Sequence, residues 1–180
     1  MYTIKNIATK LIIVVAGIAG LALYSTHATA MTTTMPISIA FDSAITLTKV
    51  TDINFGIVTA LQANTYKITT LGVVTTTGGA GTGVWLGGTH TPGNYLIKGS
   101  ATATINITAQ NYVAASAVTP SLATCAYNGG AEVACTTLTA QVAPTAAGKT
   151  LLFGISVTAS GTQAAGSTAL PTFDIVVTYT

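Results

Sequence analysis

The chain has 180 residues, of which 49% are hydrophobic and only 6% charged, with six Lys, no Arg, four acidic residues and a formal net charge of +2. So sparse a charge set, without clustered Lys, lacks the electrostatic footprint of a nucleic-acid binder. The acids Asp42, Asp52, Glu132 and Asp174 are scattered singly and form no carboxylate pair or nucleophile triad with His90, so neither enzymatic activity nor a metal or cofactor is expected.

Residues 1–30 read as an export signal. Lys5 and Lys10 supply a positive start, Leu11 to Tyr24 is an uncharged and mostly apolar run, and Ala28-Thr29-Ala30 is a small-residue cleavage site. The run is shorter than the roughly 18 residues a spanning helix needs, so cleavage after Ala30 is expected, with an uncleaved membrane anchor as the alternative. Residues 31–180 would then form one domain with no membrane span. This mature part keeps Lys49, Lys67, Lys98 and Lys149 against the four acids, a net charge of zero, which favours association between copies.

From Met31 onward the pattern is almost wholly β. Met35, Ile37, Ile39 and Phe41 alternate with Pro36, Ser38 and Ala40, and the Pro marks an edge or free-running strand. Residues 31–41 are thus an N-terminal arm with one apolar face. Ile45 with Leu47, and Ile53 with Phe55 and Ile57, continue the alternation. Thr65 to Val74 gives a further strand signal through its β-branched and aromatic residues.

The glycines from Gly78 to Gly83 are followed by neither a Lys-Ser/Thr pair nor a helix, so they read as turn chemistry rather than a phosphate loop. Around this region Trp85, His90 and Tyr95 are aromatic candidates for stacking on a sugar ring, although Trp and Tyr in such folds usually fill the core or rim. Strands are expected at Asn94 to Lys98, Ala101 to Gln110, Val113 to Ala126 and Glu132 to Val142. Cys125 and Cys135 flank Asn128-Gly129-Gly130, a sequence suited to a tight hairpin turn, which predicts a cross-strand disulfide.

Leu151 to Ala159 and Pro171 to Thr180 close the chain. In the last strand Phe173, Ile175, Val177 and Tyr179 face one way, with Asp174, Val176 and Thr178 opposite. Some eight to ten short strands separated by Gly, Pro and Asn, with no sustained helical period, predict an all-β fold, an immunoglobulin-like β-sandwich, with a closed barrel as the alternative.

Ile45-Thr46-Leu47-Thr48-Lys49, Asp52-Ile53-Asn54-Phe55-Gly56, Tyr95-Leu96-Ile97-Lys98-Gly99, Leu151-Leu152-Phe153-Gly154 and Gln163-Ala164-Ala165-Gly166 together resemble domain-of-unknown-function family 4402, small exported bacterial proteins similar to fimbrial subunits. A second resemblance is to pilins assembled by a periplasmic chaperone and usher, which end in an alternating strand with a penultimate Tyr and begin with an arm that completes a neighbour's sandwich. These resemblances imply no catalytic residues. They imply a self-associating structural subunit of a surface filament, located at the cell surface, in a fimbrium or in the periplasm of a bacterium, with Met35 to Phe41 as donor arm and Phe173 to Tyr179 bordering the receiving groove. The competing expectation is a monomeric secreted or periplasmic module, an adhesin binding glycans through Trp85, His90 and Tyr95.

Overall fold

The computed structural model describes residues 35–78, 81–136 and 138–180; the expected export signal lies outside them. The chain divides after Ala40. Residues 35–40 carry no regular secondary structure and are exposed throughout.

From Phe41 on, the described residues contain strands and turns but no helix. The strands are β1 (Thr46–Thr51), β2 (Ile57–Val58), β3 (Ala63–Ile68), β4 (Val74–Thr76), β5 (Trp85–Gly87), β6 (Gly93–Lys98), β7 (Ile105–Val113), β8 (Val118–Tyr127), β9 (Val133–Ala134), β10 (Leu138–Gln141), β11 (Lys149–Ser160) and β12 (Thr172–Tyr179). Eight of the twelve have four or more residues, so the expected count holds for the substantial strands. The other four are two- or three-residue pairings that alternation cannot signal.

β11 organises the fold. Its twelve residues pair with β8 along one side, and with β6 and then β3 along the other, while β1 extends β6, β4 extends β3 and β9 extends β8. A second sheet has the order β10-β7-β12, and β2 pairs with β5 as a small separate ribbon. All of these pairings are antiparallel. Leu151, Phe153, Ile155, Val157 and Ala159 alternate onto the buried face of β11 and meet Ile105, Ile107 and Ala109 of β7 in one core. This is a β-sandwich, each sheet burying one face of period-two residues against the other.

The two seams between the sheets differ. On one side, the chain passing from β9 to β10 crosses from the first sheet to the second. Within that crossing the Cys135 amide donates to Ala123 of β8 at 2.8 Å, while its carbonyl accepts from Ala109 of β7 at 2.8 Å. Cys125 and Cys135, both fully buried, form the expected disulfide there, with Cα atoms 5.3 Å apart. The hairpin between them turns at Asn128 (φ 51°) and Gly129 (φ 75°), both left-handed, as a two-residue turn that follows strand twist requires. On the opposite side the seam is bordered by two edge strands, β1 and β12, each with a single partner among the described residues.

Candidate functional site: an open apolar seam

Along this open seam runs a trough. One wall is β12 with the loop before it, and the other is the chain from Thr51 to Ala60. Tyr95, Phe153, Ile155 and Val157 contribute to its floor. The main cavity has a volume of about 900 Å³, and a second of about 340 Å³ lies where Thr51 to Ile53 face Phe173 and Ile175.

Phe173 lies at the join, its ring 5.7 Å from Phe153 below and 5.8 Å from a stacked Tyr112. Phe173, Ile175, Val177 and Tyr179 all pack against the core but are only half-buried. The inward face of the last strand is therefore incompletely covered, whereas the inward face of β7 beside it is buried from Ile105 to Ala109.

Gln163 fastens the far wall. Its side-chain amide donates to the carbonyls of Ser116 (2.9 Å) and Ala117 (3.0 Å), and its own carbonyl accepts from Leu61 at 2.9 Å. Beneath the trough Tyr66 is buried with its hydroxyl unpartnered, and a Cβ at Gly83 would collide with that hydroxyl. Glycine at 83 makes the space in which the ring can lie.

At the other end the seam is pinned. The Tyr179 hydroxyl donates to the Ser43 carbonyl at 2.5 Å and accepts from the buried Ser100 amide at 2.7 Å. The Ser100 hydroxyl donates to the Asp42 carboxylate and accepts from the amides of Thr102 (3.0 Å) and Ala103 (2.9 Å). The hydrogen bond from Ser100, followed by one from the Ser43 amide, holds the Asp42 carboxyl below its ordinary value. Tyr179 stands out in the sequence by its place in an alternating strand, whereas no sequence signal marks Ser100 or the root of the arm as its partners.

The arm itself offers an apolar face. Met35 is 83% exposed, Ile37 93%, Ile39 71% and Phe41 88%. Four alternating large apolar side chains left in water make a patch that calls for a partner.

The aromatic candidates are divided between two places. Trp85 and His90 meet edge to face with centroids 5.0 Å apart. The Trp85 indole donates to the Phe55 carbonyl at 2.7 Å, and a His90 ring nitrogen lies 2.9 Å from the Gly88 carbonyl. Tyr95 instead packs against Phe153, 5.9 Å away, in the floor of the trough.

No protein-family model, curated protein or solved structure matches the chain. The trough must be interpreted from its own chemistry. It is apolar, elongated and flanked by unpaired backbone, so it suits an extended peptide with alternating apolar side chains. Among the described residues, no helix is long and apolar enough to cross a membrane.

Proposed function

We propose that this protein is an exported structural subunit of a fimbria-like surface filament, and that copies join when the arm of one, residues 31–41, lies as an added strand in the trough of the next. The observation that carries this reading is the match between a free edge and an exposed segment of alternating apolar residues. β12 presents eight residues of unpaired edge above an incompletely covered apolar face. The described part of the arm presents seven residues with four alternating apolar side chains in water. At about 3.3 Å per residue these are lengths of roughly 26 and 23 Å.

Strand addition of this kind gains strength from backbone hydrogen bonds and selectivity from alternate side chains. Each arm side chain that enters the trough contributes about 1.5–3 kcal/mol of apolar burial. Ordering the arm backbone costs about 1–2 kcal/mol per residue, so the hydrogen bonds along β12 decide the outcome. Joining one subunit's arm to another's trough is head-to-tail and grows chains of subunits. The resemblance to family 4402 and to chaperone-usher pilins supports the same reading, with a periplasmic chaperone and usher as the assembly partners.

Deleting residues 31–41 tests it: the truncated protein is expected to stay monomeric and to bind a synthetic arm peptide. A truncated protein that still forms filaments defeats the proposal. The second reading, a glycan-binding module, rests on the contact between Trp85 and His90. A glycan array with a Trp85→Ala control separates the two: binding lost in the variant, in a protein that forms no filaments, favours the module.

A further inference from the structure

The trough does not end at β12. Beyond Thr172 it continues between the loop before β12 and the β2–β5 ribbon, where Ile57, Leu86 and Leu170 line its far end and are 61%, 60% and 76% exposed. No Lys, Asp or Glu occurs in residues 53–66, 68–97 or 150–173, the segments that build this pole. At the opposite pole the root of the arm is pinned at Asp42 and Ser43 against Ser100 and Tyr179. The chain therefore has a rooted pole and an uncharged apolar pole, with β12 and the trough running between them.

We propose that the β2–β5 ribbon and Leu170 form a second contact surface, which receives the root of the next copy's arm. This inference rests on the strand-addition reading and adds a polarity to it. An arm laid in the trough antiparallel to β12 emerges at the ribbon, and brings its Phe41, the apolar residue nearest the root, onto Ile57, Leu86 and Leu170. Those side chains are then buried by a second copy. Because this pole carries no Lys, Asp or Glu, covering it strips water from no such charge of the receiving copy.

The opposite direction leaves the ribbon bare. Ser43 is held at the Tyr179 end of β12, so an arm folded back into its own trough runs parallel to β12, with Phe41 near Tyr179. A neighbour's arm entering that way sets two rooted poles together, and reciprocal exchange then closes a two-fold dimer instead of extending a chain.

Two pairs of introduced cysteines distinguish these arrangements in the purified chain. Phe41→Cys with Leu86→Cys is expected to give, on mild oxidation, a ladder of covalent oligomers on a denaturing gel. Phe41→Cys with Thr180→Cys is expected to give none. Crosslinking only in the Thr180 pair, as monomer or dimer, overturns the proposed surface while leaving strand addition intact.

A second measurement uses Ile57→Ser/Leu86→Ser with an arm peptide of residues 31–40, which lacks Phe41. Unchanged peptide affinity with at least a tenfold slower polymerisation is expected. Polymerisation at the wild-type rate overturns the ribbon contact alone. Failure of the peptide to bind the arm-deleted wild-type protein overturns the strand-addition reading and this inference with it.

Discussion

The hydroxyl of Tyr179 and the carbonyl of Ser43 are hydrogen-bonded at 2.5 Å across 136 positions of sequence. The last strand thereby holds the chain just beyond the apolar segment Met35 to Phe41. The same hydroxyl accepts from the Ser100 amide, which belongs to a fully buried residue. Tyr179→Phe keeps the ring and removes both bonds, leaving a buried donor unpaired. A loss of about 1–3 kcal/mol is expected, read as a lower urea midpoint with an unchanged slope.

Ile39 contributes to the proposed joint and to nothing else observed in the subunit, since it is exposed and lies outside every strand. Ile39→Asp is expected to abolish filament growth, seen by electron microscopy, without moving the thermal midpoint of the monomer. A fall in that midpoint would show that the arm already serves its own fold.

The disulfide closes the other seam. Removing it as Cys125→Ala/Cys135→Ala is expected to cost about 2–3 kcal/mol on the chain-entropy model for so short a loop. Hydrogen exchange localises the effect: the Ala109 amide, which bonds to the Cys135 carbonyl, should lose protection before the amides at the centre of β11.

Acid should weaken the fold through two carboxylates. For Glu132, burial pushes the carboxyl up. Hydrogen bonds from the Thr70 amide and the Thr70 hydroxyl, with nearby Lys67, outweigh it, so the value lies below the ordinary 4.5. Asp42 also lies below its ordinary 3.8. A carboxyl depressed in the folded state adds stability that is present above the unfolded value and lost as pH falls through the folded one. Thermal midpoints should thus hold through mildly acidic solution and drop below about pH 4, less steeply in Glu132→Gln. At the alkaline end burial raises Tyr127 to about 12. Its contribution is complete below the ordinary value of 10.0 and declines as pH rises from there toward 12.

Gly154 lies where β11 is flanked by β3 and β8. A Cβ there would stand 2.7 Å from the Thr124 hydroxyl oxygen and 2.8 Å from the Thr69 carbonyl carbon, and would also collide with the Ile68 carbonyl oxygen. Gly154→Ala is expected to destabilise by about 1–3 kcal/mol, checked by calorimetry, with Thr150→Ala at an exposed position of the same strand as a near-neutral control.

Much of this architecture is legible in the sequence because strand signals are local. The strands expected at Leu151 to Ala159 and Pro171 to Thr180 match β11 and β12 to within two residues. Asn128-Gly129 between two cysteines predicts a hairpin and its disulfide because left-handed turn geometry is a property of those residues themselves. The segment Ile53, Phe55, Ile57 shows the limit. Its alternation suggests a short strand broken at Gly56, yet its pairing is confined to an isolated bridge at Asn54–Thr91 and the two-residue β2. Gly56, left-handed at φ 78°, turns the backbone between them.

Residue order and period determined that this is an all-β chain, with apolar faces on its arm and final strand and a covalent link across one hairpin. Only the tertiary structure decided that β12 lies at an edge, that the stapled seam is closed and the opposite one open, and that Tyr179 secures the arm's root. The physical reason is that periodicity specifies which side chains face inward, a property of neighbours along the chain. Which strand is left without a partner depends on the order of strands in the sheets, set by pairings between residues far apart in the chain, such as Ser160 with Ala63 and Tyr179 with Ile105.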